Sequence, residues 1–522
     1  MVAFPISSCT VNDIAPEKNF WVTYREKKRK KVREEIQVTL PADEALGNNT
    51  SAFDKDEDDA PIEPVIGDLQ QKLKPVWDPD KNHGRYGAVD YSGCPTLFVA
   101  HEDIKAGDFC QECKRCESNG KLYEAAPSRV VHLTGNPLIT GVQYVLSRLR
   151  CSLCEKYFVA SLPEKARNRG KYDETCRSSL AIARYYTGLP FYRIQQLQTM
   201  QGVPLADATQ WDLMRQLYQV VLPVYQVLEQ CAAQGHLVHH DDTGNRIIEF
   251  QKARKATHTT ALISMLGNHA IYLFYTSGYV GGKNVELLLE HRTTKAPLMT
   301  MSDASSHNIP KYMDENLVAR WILCFCLVHG RRKFYEIQHL YSKECELVLD
   351  IISKIYHHEA YCKKNQLSAH KRLEYHREHS APLMKALKVW LNNQLLHHLH
   401  EPNSPFGQAV AYLLRHWQAL TRFLEVAGAP LDNSLCEQAI KVAIRHRRNS
   451  LFYKTLHGAQ VGDCLMSLIH TAAKAQVNLF DYLNALQRHA AYVKIKPSRW
   501  LPWNYQKTLQ SLLRAPPTDK AA

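Results

Sequence analysis

After Gly235 the apolar residues stop recurring at helical spacing and form short runs that are typical of β-strands. Three runs, "HLVHHDDT", "TTALISMLG" and "HAIYLFYTSG", are apolar or β-branched and are separated by turn residues, so we predict three strands. The segment "GGKNVELLLEH" then predicts a helix, and "PLMTMSD" predicts a fourth strand. Strands joined through a helix in this way predict an α/β domain that begins near residue 235.

Helical patterns flank these strands. Residues 172–232 carry apolar side chains three and four positions apart, and the pattern breaks at Gly188 and at Gly202, each followed two positions later by proline. Residues 316–426 are expected to be helical almost throughout, since leucines and other apolar residues recur there at helical spacing.

Composition and charge narrow the classes of protein to which the chain can belong. Its 522 residues suit two to four domains, and no apolar run reaches the length of about eighteen residues that a membrane span needs. The N-terminus lacks a charged segment followed by an apolar core, so we expect no secretory signal. The fifteen cysteines therefore indicate the reducing cytoplasm, where they are free thiols, buried residues or metal ligands.

The charge is basic and uneven. A net charge of +13 suits a polyanionic partner such as DNA. The block "REKKRKKVR" at residues 25–33 either contacts phosphates or forms a solvated arm, and "DKDEDD" at residues 54–59 predicts a disordered linker. We expect residues 1–82 to be a partly disordered N-terminal arm and linker.

Two cysteine pairs have the spacing of zinc ligands. "CQECKRC" begins at Cys110 and "RCSLCEKYF" contains Cys151, and each holds a C-x-x-C pair whose short turn lets two thiolates converge on one Zn²⁺. We predict a structural zinc ion and a zinc-ribbon-like domain with short strands. The predicted ligands are Cys110, Cys113, Cys151 and Cys154, and Cys116 is the alternative to Cys110.

A helix-turn-helix pattern is present in "YRIQQLQTMQGVPLADATQWDLMRQL". Gly202 suits the tight turn, and Asp207 suits the N-cap of the second helix. In a DNA-binding module of this kind the second helix enters the major groove, which would expose Asp207, Thr209 and Gln210 for contact with DNA. Two packed helices in a bundle would give the same pattern.

Three carboxylates stand at positions where they could form a metal site. Asp241 lies in the first predicted strand, Asp303 ends the fourth, and Glu437 lies on a helix that begins at Asp432 and Asn433. Each has a simpler explanation on its own, because Asp303 could cap a helix and Glu437 could complement a helix dipole. The order strand carboxylate, later-strand carboxylate and helix carboxylate is that of a ribonuclease-H-like two-metal site.

The region from about His83 to Val493 resembles transposases of the insertion sequence 66 family. Its motifs occur here in the family order: "DDT" from Asp241, "LMTMSDAS" around Asp303, "CLVHGRRKF" from Cys326, and "DNSLCEQ" followed by "RHRRNSLF" around and after Glu437. The cysteine pairs, "GLPFYRIQQLQ" and "GVPLADATQW" also follow that order. Three departures are Asp242, where the family commonly has Glu, Gln438, where it has Arg after the Glu, and extra residues in the first cysteine pair's segment before "GKLYE".

The resemblance implies a DDE-type transposase with a ribonuclease-H-like core. Asp241, Asp303 and Glu437 would be the catalytic residues and the ligands of Mg²⁺ or Mn²⁺. The enzyme would bind the terminal inverted repeats of its element, cut the 3′ ends, and join them to target DNA. A homo-oligomer on DNA, small accessory proteins encoded by the element, and a bacterial, nucleoid-associated location are also implied.

Basic residues near the third carboxylate are candidates for DNA contact. Lys441 and Arg445 lie four and eight positions after Glu437 and so share roughly its helix face. Arg447 and Arg448 follow in the next turn or in a loop, and the family stretch after Cys326 adds Arg331 and Arg332. A solvated basic helix is the alternative interpretation.

These predictions together divide the chain into seven parts. They are an arm and linker (1–82), a zinc-ribbon-like domain (83–165), a helix-turn-helix-like DNA-binding domain (166–234), the first part of the catalytic core (235–334), a large all-helical insertion (335–426), the last part of the core (427–470), and a C-terminal helical segment (471–522). Two other functions fit the sequence: a catalytically silent DNA-binding protein that occupies element ends, and a structure-selective nuclease.

Overall fold

The computed structural model describes residues 87–91, 94–114, 120–136, 138–167, 170–251, 255–397 and 399–514. The predicted arm and linker, their basic and acidic blocks, His83 and Cys116 lie outside these residues. No helix in the described ranges is both long enough and apolar enough to cross a membrane.

The first part of the described chain is a small sheet. After a 3₁₀ turn at Ala88–Asp90, its elements are β1 (Thr96–Val99), helix α1 (Gln111–Lys114), β2 (Leu122–Asn136), β3 (Leu138–Cys151) and β4 (Tyr157–Val159). β2 and β3 form an antiparallel hairpin, β1 runs parallel to β3, and β4 pairs with β3. The prediction of short strands here was wrong, because the two hairpin strands are 15 and 14 residues long.

The buried face of this hairpin explains that length. Val131, Leu133 and Ile139, at the end of the hairpin away from the cysteines, are buried in the main hydrophobic core. Leu122, Leu149 and the cysteines form a separate small core at the other end. Each strand therefore spans two buried regions, which gives it enough burial to continue past a register shift between Ala125 and Ser128.

Three helices follow the small sheet. They are α2 (Glu174–Ala181), which continues into a π-helical turn at Ile182–Tyr186, α3 (Phe191–Met200) and α4 (Asp207–Ala233). The breaks predicted at Gly188 and Gly202 are confirmed, since both glycines have positive φ angles (+82° and +70°). α4 contributes Leu217, Val221 and Leu228 to the main core, so the predicted domain boundary at residue 234 falls inside one continuous core.

The central sheet has five strands. They are β5 (Leu237–Asn245), β6 (Thr257–Leu266), β7 (His269–Ser277), β8 (Leu298–Ser302) and β9 (Trp321–Phe325). The strand order is β7-β6-β5-β8-β9, with β6 antiparallel to both its neighbours and β5, β8 and β9 parallel. Helix α6 (Gly281–Leu289) connects β7 to β8, and short turns at α5 (Ile248–Gln251), Ser306–Asn308 and α7 (Glu315–Val318) complete this region.

The prediction that residues 316–426 are helical almost throughout was wrong at β9. "WILCF" is a short apolar run, and such a run is compatible with either a buried strand or a helix segment. In the structure it pairs with β8 over five residue pairs and forms the edge of the parallel half of the sheet.

The helical insertion follows β9 and forms a second core, to which Phe325 of β9 and Leu431 also belong. Its elements are α8 (Leu327–Ile337), α9 (Ser342–Lys364), α10 (Ala369–His379), α11 (Ala381–Leu396), α12 (Pro405–Arg415), α13 (Trp417–Leu420) and a 3₁₀ turn at Arg422–Leu424. Phe334, Ile352, Leu391 and Phe406 are among its buried residues. The two ends of the insertion meet, because the backbone N–H of Leu327 donates a 3.0 Å hydrogen bond to the carbonyl of Leu431.

The chain then returns to the sheet. The remaining helices are α14 (Ser434–Ser450), α15 (Leu456–Lys474), α16 (Leu479–Arg488), α17 (Ala490–Ile495) and α18 (Tyr505–Arg514), with a 3₁₀ turn at Pro497–Trp500 between the last two.

Helix α15 covers the edge strand β7. The N–H groups of Tyr272, Phe274 and Thr276 donate to side-chain oxygens of Thr471, Ser467 and Asp463 respectively, at 3.0, 2.9 and 2.6 Å. Side-chain oxygens four residues apart on the helix thus accept from backbone N–H groups two residues apart on the strand. These bonds occupy the free edge of β7, which could otherwise pair with a strand of another chain.

Candidate active site

Two of the predicted carboxylates lie just beyond the paired part of neighbouring parallel strands, Asp241 within β5 and Asp303 directly after β8. The last residue pair between β5 and β8 is His239 with Met301. Asp241 and Asp303 each lie two positions further on, so their side chains point to the same side of the sheet edge. The prediction that they occupy a strand and the end of a later strand agrees with this placement.

Helix α14 brings the third carboxylate to the same edge. Asn433 precedes the helix, and its side chain accepts a 3.0 Å hydrogen bond from His239 and donates a 2.9 Å bond to the carbonyl of His240. One turn on, the thiol of Cys436 donates to the carbonyl of Ala261 on β6 at 3.2 Å. The first turn of the helix is therefore attached to both strands, and Glu437 is held beside Asp241.

Burial and the neighbouring carboxylates change the pKa of Asp241. Burial raises the pKa of its carboxyl, and the charges of Asp303, Asp242 and Glu437 raise it further, to about 7. A 2.9 Å hydrogen bond from the N–H of Asp242 opposes this rise. No lysine or arginine among the described residues forms an ion pair with any of the three predicted carboxylates. Clustered, half-buried carboxylates without such a partner favour a bound cation.

The three carboxylates are near enough for their charges to interact, but their ligand atoms are not all within contact of one another. In the part of the chain that the structure describes, they do not form a group whose ligand atoms all lie within 4.8 Å of one another. Two Mg²⁺ ions about 4 Å apart, with Mg–O bonds of about 2.1 Å, need ligands on both sides of the pair. The hard oxygen donors of the three side chains are of the type that Mg²⁺ prefers.

The neighbouring polar residues have structural partners. Oδ1 of Asp303 accepts hydrogen bonds from the N–H of Ser305, at 3.1 Å, and from the side-chain amide of Asn308. Asp242 accepts from the N–H of Gly281 and from the hydroxyl of Thr260. Burial lowers the pKa of His239 to about 4, so this histidine is a neutral hydrogen-bonding group at neutral pH.

The predicted DNA-contacting cations fall into two groups. All four basic residues after Glu437 lie within α14, which continues to Ser450. Arg445 donates to the carbonyl of Tyr186 at 3.2 Å, and Arg447 donates to the carbonyl of Gly244 at 2.8 Å, so both are attached to the protein's own backbone. Lys441 and Arg448 are exposed. On α8, Arg332 is exposed and Arg331 lies over the ring of Tyr335.

A group that the sequence reasoning missed lies next to Glu437. Cys326, His329 and Glu437 bring one ligand atom each to within 4.8 Å of one another. "CLVHGRRKF" contains Cys326 and His329, but the spacing alone could not show that a residue 111 positions away joins them.

The four predicted zinc ligands converge. Cys110, Cys113, Cys151 and Cys154 form the other described group whose ligand atoms lie within 4.8 Å of one another. The Sγ–Sγ distances are 3.9 Å between Cys110 and Cys154 and 3.2 Å between Cys113 and Cys151. A tetrahedral ZnS₄ centre with Zn–S bonds of about 2.3 Å has edges of about 3.8 Å.

The cysteines of this group differ in the pKa values of their thiols. Burial raises the pKa of Cys151, but hydrogen bonds from the backbone N–H groups of Cys154 and Leu153 outweigh burial and lower it to about 6. Hydrogen bonds with Cys154 and Cys151 raise the pKa of Cys113 to about 12. Donation of backbone N–H groups to the sulfur favours the thiolate that a metal requires.

The prediction for the helix-turn-helix segment was partly wrong. Gln210 is 0% exposed, and its side-chain amide donates to the carbonyls of Phe191 and Leu205 at 3.0 Å each, so it joins the two helices and is not available to DNA. Asp207 is exposed but is the first residue of α4, and the N-cap is Ala206. Thr209 is half-buried.

Comparison with known proteins agrees with this architecture. The sequence model of the Transposase IS66 family matches residues 169–461, more than half of the chain, and this range includes all three predicted carboxylates but not the four-cysteine group. The uncharacterized protein y4jD of Sinorhizobium fredii is 22% identical over 435 residues, which cover 81% of this chain and 84% of that protein. The uncharacterized protein y4hP of the same organism is 21% identical over 386 residues, covering 70% of this chain and 68% of that one. The chain thus belongs to the IS66 family of transposases.

Proposed function

We propose that this transposase binds the terminal inverted repeats of its own element, cuts the 3′ ends, and transfers them to target DNA. The observation that carries the proposal is the placement of Asp241 and Asp303 at matching positions on β5 and β8, with Glu437 held beside them on α14. Membership of the family supports the same chemistry.

In this proposal, Asp241, Asp303 and Glu437 hold two Mg²⁺ or Mn²⁺ ions. Their oxygen donors match the preference of these hard cations. The ions would activate the attacking water or 3′-hydroxyl and relieve the charge that develops on the leaving oxygen. The raised pKa of Asp241 supports the assignment, because it indicates a carboxylate whose charge is costly without a bound cation.

We also propose that the core is ribonuclease-H-like. The strand order β7-β6-β5-β8-β9, with only β6 antiparallel to its neighbours, supports this, as does the order of the three carboxylates along the chain. The insertion between β9 and α14 lies between the second and third carboxylates in sequence.

The remaining assignments are extensions of the same proposal. The four-cysteine group would hold a structural Zn²⁺ that stabilises the small sheet. Lys441, Arg448 and Arg332 are exposed and would contact the phosphates of the DNA. The family resemblance supports a homo-oligomer on the element ends, accessory proteins, and a nucleoid-associated location.

The test is a cleavage and strand-transfer assay with DNA that carries the inverted repeats flanking the coding region. Wild-type protein should cut and join in Mg²⁺, whereas Asp241→Asn, Asp303→Asn and Glu437→Gln should each abolish both steps and still bind the ends. Asp350→Asn, on an exposed face of α9, is the matched control. Binding without cleavage by the wild type would favour the silent DNA-binding protein, and cleavage without joining would favour the structure-selective nuclease.

A further inference from the structure

The carboxylate of Glu437 faces a thiol and an imidazole in addition to the aspartates. The Sγ of Cys326 lies 3.9 Å from Oε1 of Glu437, and a ring nitrogen of His329 lies within 4.8 Å of both residues' ligand atoms. These three residues, Cys326, His329 and Glu437, are called the Cys-His-Glu group below.

Local structure explains why the first two members face the third. Cys326 directly follows β9 and is the N-cap of α8, and His329 lies three positions on, so both occupy the same side of the first helical turn. The backbone N–H of Asn433 donates to the Sγ of Cys326 at 3.3 Å, which joins the start of α8 to the start of the helix that carries Glu437. The group is thus built from two helix N-termini.

Two features of these residues point to a bound cation. Nδ1 of His329 is buried and has no hydrogen-bond partner among the described residues. The sulfur of Cys326 is buried at a helix N-terminus and lies 3.9 Å from the carboxylate of Glu437, so a soft and a hard ligand atom are close enough to bind one ion. A buried acceptor without a partner is costly, and a metal ion would satisfy it.

We propose that the Cys-His-Glu group is a binding site for a borderline transition-metal ion of the Zn²⁺ class. Thiolate and imidazole are ligands for Zn²⁺, whereas Mg²⁺ prefers an all-oxygen set. Tetrahedral coordination at bond lengths of about 2.0–2.3 Å places ligand atoms about 3.3–3.7 Å apart, so small side-chain rotations suffice to close the present spacing. Three protein ligands leave the fourth position for water.

The site shares Glu437 with the carboxylates proposed to hold Mg²⁺, and this consequence rests on the proposed function. A Zn²⁺ ion bound by Glu437 would withdraw that carboxylate from the Mg²⁺ pair and would place another dication beside it. Zn²⁺ is therefore an inhibitor that acts through Cys326 and His329, and its effect is relieved by Mg²⁺ only through competition for Glu437.

The first experiment measures Zn²⁺ binding without DNA. Full-length wild-type protein is compared with Cys326→Ser and His329→Gln by titration of Zn²⁺ against a coloured chelator. Ser is a preferred N-cap residue and Gln retains hydrogen-bonding capacity, so both variants should fold. The matched control is Cys324→Ser, which removes another buried thiol of the same segment.

We expect the wild type and Cys324→Ser to bind one more Zn²⁺ than the other two variants. Loss of a ligand should weaken this binding by more than about 100-fold, because loss of an outer-shell partner alone costs about 10- to 100-fold. Equal Zn²⁺ stoichiometry and affinity in all four proteins would overturn the proposal.

The second experiment separates this proposal from the proposed function. Zn²⁺ is added at fixed Mg²⁺, and the cleavage rate of each protein is expressed relative to its own rate without Zn²⁺. Wild type should be inhibited at lower Zn²⁺ concentration than Cys326→Ser, and equal sensitivity would overturn the competition at Glu437. Absence of any Mg²⁺-dependent cleavage would overturn the proposed function, while the binding titration would still decide whether the Zn²⁺ site exists.

Discussion

The backbone N–H of Gly281 donates a 2.6 Å hydrogen bond to Oδ2 of Asp242. The other carboxylate oxygen accepts from the hydroxyl of Thr260 at 2.5 Å, so both oxygens of Asp242 are already used in fastening the start of α6 to the central sheet. Position 281 has no room for a side chain, because a Cβ there would lie 2.5 Å from Oδ1 of Asn308. Asp242 is therefore a structural residue beside the carboxylate site.

We expect Asp242→Ala to lower the free energy of unfolding by about 1–3 kcal/mol, because two donors lose their acceptor. Cleavage should remain substantial at temperatures where the variant is folded. Denaturant unfolding and the cleavage assay measure the two effects, and Asp242→Asn, which keeps one acceptor oxygen, should fall between wild type and Asp242→Ala in stability. Loss of cleavage without loss of stability would instead place Asp242 among the metal ligands.

Asp241 makes stability depend on pH in the absence of Mg²⁺. Its pKa is about 7 in the folded chain and about 3.9 in an unfolded one, so the folded state binds more protons between these values. Stability therefore falls as the pH rises from about 4 to about 7. At pH 8 without added Mg²⁺, Asp241→Asn should be more stable than wild type by roughly 4 kcal/mol, at about 1.4 kcal/mol for each of about three pKa units, and the difference should vanish near pH 4.

The comparison isolates Asp241 because the buried carboxyls of Glu229 and Asp463, whose pKa values burial also raises to about 7, are present in both proteins. Adding Mg²⁺ at pH 8 should stabilise wild type and have little effect on Asp241→Asn, since only the former retains the ligand. Equal stabilisation of the two proteins by Mg²⁺ would show that the ion binds elsewhere.

The four-cysteine group should retain one Zn²⁺ through purification. We expect Cys113→Ser and Cys151→Ser to lose this equivalent and to lose the order of the small sheet, because a structural zinc site contributes directly to folding. Metal analysis and circular dichroism measure these losses. Cys94→Ser, a buried cysteine outside the group, is the control. Loss of zinc from Cys116→Ser but not from Cys110→Ser would show that Cys116 is the ligand in place of Cys110.

Lys441 and Arg448 should contribute to DNA binding without sequence preference. They lie four and eleven positions after Glu437 on α14 and so share its face, and both are exposed. Neutralising both to Gln should weaken binding about equally for element and unrelated DNA, and should reduce the salt dependence by about one unit of slope per lost phosphate contact. Lys354→Gln, in an exposed ion pair with Asp350, is the control. An unchanged slope would place the DNA on another face.

Sequence patterns predicted the parts of the site that local structure determines. Asp241 within a strand, Asp303 at a strand end and Glu437 in the first turn of a helix follow from apolar runs and cap residues, and the structure has each at that position. The C-x-x-C spacing likewise predicted a cysteine group, since its geometry is contained in a few residues.

Long-range packing explains what the sequence could not predict. The helix-turn-helix pattern predicted that Gln210 is exposed to DNA. In the structure α3 packs on α4 and buries this residue. "WILCF" forms a strand because its backbone pairs in parallel with β8. The proximity of Cys326 to Glu437 depends on the return of the chain after the whole insertion, which no local pattern contains.

The hydrogen bond between Leu327 and Leu431 closes the insertion at its base. The entropy cost of bringing the two ends of an inserted segment together grows only with the logarithm of its length. A longer or shorter segment therefore changes the free energy of folding little. The alignment of the Glu437 helix with the sheet is maintained by that closure, by Asn433, and by the packing of Phe325 of β9 in the core of the insertion. Changes in the length of the outer helices of the insertion should therefore be tolerated, provided that α8 is kept, because α8 carries His329 beside Glu437.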